Sequence, residues 1–288
     1  MTVWSMKQAL FCLIGSTCVT LTLSLTSYSF YKKSVHKKLY DEKYQIRAIV
    51  QTGLEKEALK TAYLAEILGL STDKPPQLYS IDLKLAEKTL LNSPLIAKAK
   101  VKRLPPATLY IDYEVRKPVA LLADFKNTAV DREGALFPVE PFFSPKNLPE
   151  LYLGVPEFTG WQVEDQNFQL ALNVIEFLES APWKEGLRIK RIDVSKASAP
   201  SLGQREIVLF TEEELFLQND SGEIICTFPK ILRLAPKDYR QQLNNFFALR
   251  RTMMDDYRRQ LATLKKGGEF APRIIDLRIP QLAFVEKG

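Results

Sequence analysis

From Gln8 to Tyr31 the chain carries no charged residue. As a helix, Ala9–Phe30 would extend about 33 Å at ~1.5 Å per residue, which matches a bilayer core of ~30 Å. The stretch holds eight Ser or Thr, and Val19–Thr26 alternates apolar with hydroxylated residues in a strand-like period. A helix is still expected, because hydrocarbon leaves backbone groups no partner outside the segment itself. Tyr28, Phe30 and Tyr31, followed by Lys32 and Lys33, form an interfacial belt with a basic flank. The rival reading is a cleaved signal peptide with Lys7 as its n-region, but its cleavage options, such as Ser27-Tyr28-Ser29, are weak. Ser16, Thr20 and Ser24 fall four apart, so they are either tolerated hydroxyls or a small-residue face for a partner helix.

Charge is concentrated beside this segment. Residues 1–38 hold Lys7, Lys32, Lys33, Lys37 and Lys38 and no acid, leaving 35 basic and 34 acidic residues in the rest. The net +6 therefore describes a near-neutral body with a basic collar. A nucleic-acid-binding domain would instead carry its excess on a folded face. The lysines after the apolar segment outnumber Lys7, so the positive-inside rule places the body in the cytoplasm. The one histidine, His36, lies in the collar, which excludes a Ser-His-Asp triad or a multi-His metal site in the body. Cys12 and Cys18 sit in the apolar segment and Cys226 is alone in the body. There is no glycine-rich phosphate loop, nucleophile elbow or S-x-x-K. Adjacent acids such as Asp255-Asp256 read as solvated charges. No cofactor, metal or catalytic residue is expected, and the chain reads as a membrane-held binding device. A hydrolase built from carboxylates alone would need a pocket with close acids of separated pKa.

After the collar, Ile46–Gln51 is a short run with Ile46, Ala48 and Val50 on one face. Glu55–Leu70 has helical spacing, and Asp82 is placed to cap a helix over Leu83–Leu91 that buries Leu83, Ala86, Leu90 and Leu91. Ala97, Ala99 and Val101 alternate with Lys98, Lys100 and Lys102. Beyond a Pro turn, Leu109, Ile111, Tyr113 and Val115 alternate with polar residues, giving an antiparallel pair whose lysines face Asp112 and Glu114. The order strand, helix, helix, strand, strand is a small α+β layer. Val119–Leu122, Thr128–Asp131 and Ala135–Val139 predict further strands, the last two a hairpin turned by Gly134. Asp165–Ser180 predicts a helix. Leu187–Val194, Glu206–Phe210, Glu214–Gln218 and Glu223–Phe228 predict strands, and Asp238–Leu264 a long helix whose arginine pairs Arg250-Arg251 and Arg258-Arg259 form a solvated face. Arg273–Ile279 and Leu282–Val285 close the chain as strands.

Pro94, Ile96, Ala97, Ala99, Val101, Arg103, Pro105, Thr108-Leu109, Ile111, Arg116 and Pro118-Val119-Ala120 stand in an ordered series. Val130-Asp131, Gly134 and Phe137 follow, and Ile275-Asp276-Leu277-Arg278 stands near the C-terminus. This series resembles the FtsQ/DivIB family of bacterial cell-division proteins, closely over residues 46–140 and loosely over 165–285. The chain departs from the family at Val115, where Glu is usual, at Leu104, where Trp is common, and at Ile279, where many members have Tyr.

The resemblance implies an α+β protein: a single N-terminal transmembrane helix, a small POTRA-type α/β layer domain, then a larger mixed β domain with helices. It implies a short N-terminal cytoplasmic segment (1–8), a transmembrane helix (9–31), a basic juxtamembrane linker (32–45), a POTRA domain (46–117) and a β domain (118–288). The body would be extracytoplasmic, at the division site of the bacterial inner membrane, against the charge rule. The function implied is a divisome scaffold that binds FtsB- and FtsL-like partners and recruits or regulates the septal peptidoglycan synthase complex, without catalysis. An edge near the C-terminus would accept a partner strand, with Ile274, Ile275, Leu277, Ile279, Leu282 and Phe284 as contact residues and those that face inward filling the core. The alternative is a POTRA-containing protein-transport or envelope-assembly factor, which would continue into a barrel of many short strands.

Overall fold

The computed structural model describes residues 6–53, 58–71, 73–144, 147–157, 159–180, 186–219, 222–261, 268–269 and 272–286. The chain divides into two compact units, Met1–Val115 and Arg116–Gly288.

In the first unit, α1 runs unbroken from Met6 to Tyr40. From Leu10 onward it is long and apolar enough to cross a membrane. The strand-like alternation at Val19–Thr26 does not break it. The Thr20, Thr22, Ser24 and Thr26 hydroxyls each donate to a carbonyl three or four residues back, at 2.8–3.1 Å. That bonding satisfies the polar groups within the helix, which hydrocarbon demands. The helix also continues past the apolar stretch through the whole basic collar.

A short 3-10 turn at Glu42–Tyr44, capped by Asp41, leads into β1 (Ala48–Thr52). Then come α2 (Thr61–Ile67), α3 (Leu83–Leu91), β2 (Ile96–Leu104) and β3 (Thr108–Val115). The three strands lie in the order β1-β3-β2, with β1 parallel and β2 antiparallel to β3. Asp82 caps α3 as expected, accepting from the Lys84 and Leu85 amides. Within α3, Ala86 and Leu90 are buried but Leu91 is exposed, so the stripe is narrower than expected. Lys98 and Lys100 stand opposite Glu114 and Asp112, and Lys98 pairs with Glu114 at 2.8 Å. The face expected at 46–51 is corrected. Ile46 is buried, but Ala48 and Val50 are exposed and Ile49 and Gln51 turn inward. The reason is that Ile46 precedes the strand: its amide bonds the Pro76 carbonyl, and the ladder begins at Ala48. The helix expected over Glu55–Leu70 is corrected to the short α2: 58–60 are not helical, Lys60 being its extended N-cap, and the chain turns at Leu68 and Gly69 (φ +64°), while 54–57 lie outside the described residues.

Several motif residues of this unit act as clamps. Arg103 donates to the Leu78 carbonyl at 2.9 Å and to the Ile81 carbonyl at 2.5 Å, holding the loop that enters α3. Its guanidinium also lies over the Tyr79 ring. Tyr113 reaches through the core to accept from the Leu59 amide at 2.8 Å, and burial pushes its phenol up from the ordinary tyrosine range.

Among the described residues the second unit has one mixed sheet and two long helices. Its strands are β4 (Ala120–Leu122), β5 (Thr128–Val130), β6 (Leu136–Pro138), β7 (Glu150–Tyr152), β8 (Leu187–Asp193), β9 (Ile207–Asn219), β10 (Gly222–Leu234), β11 (Gly268–Glu269), β12 (Arg273–Asp276) and β13 (Phe284–Glu286). The order is β13-β12-β10-β9-β8-β7-β4-β5-β6, with β11 also pairing to β10. The helices are α4 (Gln166–Ser180) and α5 (Tyr239–Leu261). Phe168, Val174 and Ile175 of α4 and Leu243, Phe246 and Met253 of α5 pack with Leu151, Ile192, Leu209, Phe228, Leu232 and Ile275 of the sheet in one core. At about 25 cal/mol per Å² of apolar surface removed from water, this core is what holds the two helices to the sheet.

Two sequence expectations change here. Glu206–Phe210 and Glu214–Gln218 are one continuous strand, β9, and β10 runs on through Pro229 and Lys230. The charges that read as breaks point inward and meet each other. The buried Lys230 ammonium bonds the buried Glu213 carboxylate, whose other oxygen accepts from Arg250 Nε at 2.5 Å. Arg250 is therefore part of the interior rather than of a solvated face; its side chain is 14% exposed. Burial pushes the Lys230 ammonium below the usual lysine range, Glu213 opposing it.

The V-D-x-x-G segment has a definite structural role. Asp131 is buried, accepts from the Glu133 and Ala135 amides, and pairs with Arg116 at 2.7 Å. Gly134 has φ +80°, and a Cβ there would lie 2.4 Å from the Val163 carbonyl oxygen. Gly134→Ala is expected to lose ~1–2 kcal/mol from the left-handed backbone alone, with the clash adding to it. Thermal unfolding of the full chain in detergent checks this.

Candidate partner-binding edge

The C-terminal I-D-L-R segment belongs to β12 and the residues just after it. Ile275 pairs with Leu232 of β10 on one side and with Val285 of β13 on the other. Ile275 and Leu277 are buried in the core, and the Leu277 amide bonds the Arg233 carbonyl at 2.9 Å. As core residues they are not available as contact residues. Strand alternation sends Ile275 into the helix-covered face, and Leu277 stays with it because its backbone is still tied to β10. Ile274 is half-buried.

The other three expected residues lie outside. The chain turns at Ile279–Leu282, closed by the Leu282 amide donating to the Ile279 carbonyl, with Gln281 at φ +62°. Ile279 is 61%, Leu282 56% and Phe284 61% exposed, and Val285 beside them is 38% exposed. β13 is the outermost strand: among the described residues no strand pairs with its outer side. An exposed strand edge presents unpaired amides and carbonyls, a ready template for another strand. A groove of about 610 Å³ runs beside the turn, between Ile279–Ala283 and the Asp238, Gln241, Gln242 and Asn245 positions at the start of α5.

Beneath the edge lies a balanced ion network absent from the sequence reading. Arg233 Nη2 meets Glu206 at 2.6 Å, and Arg233 Nη1 meets Asp276 at 3.4 Å. Arg278 meets Asp276 at 2.7 Å and Glu206 at 3.3 Å. Arg278 also donates to the Gly203 carbonyl at 3.2 Å, tying in a loop whose Leu202 is 74% exposed. Leu202 is the apolar residue that sequence reasoning passed over, and its one signal was its place alone in a Pro-Ser-Leu-Gly run. The network thus holds both the strand end that carries Ile279 and the loop that carries Leu202.

Burial pushes the Asp276 carboxyl up, but its hydrogen bonds and charge pairing with Arg278, and then Arg233, outweigh this and hold it below the usual range. The same contact with Asp276 pushes the Arg278 guanidinium up. A carboxylate kept ionised between two guanidiniums is suited to pinning a strand and unsuited to donating a proton. Because the folded Asp276 pKa is depressed, its stabilisation is complete above the unfolded value of ~3.9 and is lost as pH falls through the lower folded value. Asp276→Asn is expected to lose ~1.5–3 kcal/mol at neutral pH and to flatten the acid limb of a Tm-against-pH curve between neutrality and pH 3.

Comparison with known proteins addresses the first unit. Residues 45–113 match the family model of the POTRA domain, FtsQ-type. The matched span opens at Gln45, which bridges to Gln77, and takes in β1, α2, α3, β2 and nearly all of β3. Residues 45–113 are thus a POTRA domain of the FtsQ type, consistent with the FtsQ/DivIB resemblance. A search of curated proteins finds no match to the chain.

Proposed function

We propose that this chain is a single-pass divisome scaffold of the FtsQ/DivIB kind. Its body stands on the extracytoplasmic face of the inner membrane at the division site. It binds FtsB- and FtsL-like partners and through them recruits or regulates the septal peptidoglycan synthase complex. The activity is recognition, and no residue acts as a catalyst. Residues 46–117 serve as the POTRA domain and 118–288 as the β domain, a reading supported by the compact division between Val115 and Arg116.

The observation that carries this reading is an FtsQ-type POTRA domain in a chain whose strand β13 has, among the described residues, no strand on its outer side and is accompanied by exposed Ile279, Leu282 and Phe284. A partner strand would add to β13. Main-chain hydrogen bonds would supply affinity, and the flanking apolar side chains would supply choice of partner. Ile279 stands where many family members have Tyr, so the aliphatic side chain would meet an apolar residue of the partner instead of a hydrogen-bonding one. The extracytoplasmic placement goes against the lysine count and rests on the family, whose partners act on the wall outside the membrane.

The test is co-purification of an FtsB-like partner by the full chain and by Phe284→Lys. Loss of the partner with an unchanged melting temperature supports the edge, and full retention would sink it.

A further inference from the structure

The basic collar is not used by the partner-binding reading, and the structure gives it an arrangement that its composition does not. The collar lies in a helix continuous with the apolar span. At 100° per residue, Lys32, Lys33, His36, Lys37 and Tyr40 fall within an arc of about 140°. Lys32, Lys33, His36 and Lys37 are all exposed, while Lys38 on the opposite side, and Val35 and Leu39 outside the arc, are half-buried. Lys38 is committed elsewhere: its ammonium lies 5.2 Å from the centre of the Tyr79 ring, over which Arg103 also lies. Ser29, Lys32, Lys33, His36, Lys37 and Tyr40 line a shallow groove along the free side, with Asp41, the cap of the following 3-10 turn, at its body end. The His36 and Tyr40 rings within it are 4.4 Å apart.

The height of this face follows from the helix itself. Leu10–Tyr31 spans about 33 Å, which uses up the ~30 Å hydrocarbon core. Tyr28, Phe30 and Tyr31, each at least 64% exposed on the isolated chain, mark the boundary. Lys32 to Lys37 then rises a further ~7.5 Å, about the depth of one headgroup layer. Three lysines are thus held on one face at the level of lipid phosphates, and the fourth is held against the POTRA domain.

We propose that the Lys32–Lys33–Lys37 face is a binding site for anionic glycerophospholipid headgroups of the leaflet adjoining the body. This rests on the membrane-anchor part of the proposed function and is independent of its division partners. By this site the helix is fixed in rotation as well as in depth, so the POTRA domain that receives Lys38 is presented to one side of the anchor. Each lysine near an anionic surface contributes about 1 kcal/mol, or roughly five-fold in preference.

The test uses the full chain in nanodiscs of phosphatidylcholine with one-third phosphatidylglycerol, released and weighed by native mass spectrometry. Wild type is expected to carry phosphatidylglycerol well in excess of its share. Lys32→Gln/Lys33→Gln/Lys37→Gln is expected to cut that excess by at least ten-fold, and Lys38→Gln to change it less than two-fold. Wild type carrying the two lipids in bulk proportion, an unchanged excess in the triple variant, or an equal loss in Lys38→Gln would overturn the site. A wild-type chain that stays outside the discs would overturn the anchor reading together with it.

Discussion

Replacing Glu213 by glutamine will destabilise the larger unit by ~3–5 kcal/mol, the usual result of removing one partner from a buried ionic cluster. Glu213 is 1% exposed and joins the sheet to α5, accepting from Lys230 on the neighbouring strand and from Arg250 on the helix. Glutamine keeps the shape but leaves two cations in one low-dielectric site without the carboxylate they share. The Lys230 ammonium is already held below its usual range by burial, so losing the carboxylate makes its charged form harder still to keep. At ~2–4 °C per kcal/mol for a unit of this size, the expected fall in melting temperature is about 10 °C. Glu213→Leu with Lys230→Met and Arg250→Met together should recover most of this loss, because apolar replacement of a whole buried ionic cluster is often neutral. Differential scanning fluorimetry of the full chain in detergent reads both variants.

Placing lysine at Ile279 or at Phe284 will reduce partner capture at least ten-fold while leaving the fold within ~0.5 kcal/mol of wild type. Both side chains are 61% exposed, so a lysine there remains in water when the protein is alone. It would be desolvated only when a partner strand lies over β13, and that difference is what pull-down reads. A central apolar contact of an interface loses ~2 kcal/mol or more when removed, and burying an unpaired ammonium adds to it. Ile275→Lys provides the contrast. Ile275 is 0% exposed, so its lysine variant should fail by unfolding rather than by losing the partner.

Local signals made the POTRA domain legible. Alternation at 96–115 gave both strand faces, because a half-buried strand must repeat every second residue. The Asp82 cap and the pairing of Lys98 with Glu114 followed from side-chain chemistry within a short reach. The larger unit was harder to read wherever charge faces inward. Glu212-Glu213-Glu214 and Pro229-Lys230 look like breaks until the sheet brings Glu213 and Lys230 together across seventeen residues. Arg250 looks solvated until α5 is laid on that sheet. At the candidate edge, period-two reasoning implied that some of the six apolar residues face inward without saying which, and it could not carry past the turn at Ile279–Leu282. Burial there is set by the tie between Leu277 and Arg233 and by the Asp276–Arg278 pair.

The central claim, that β13 accepts a partner strand, is tested most directly by hydrogen exchange of the amides at 282–286 with and without an FtsB-like partner. Strand addition predicts that β13 amides pointing away from β12 slow markedly in the complex, while those of the buried β12 ladder are unchanged. A complex that forms with every amide of 282–286 exchanging as fast as in the free chain would contradict it.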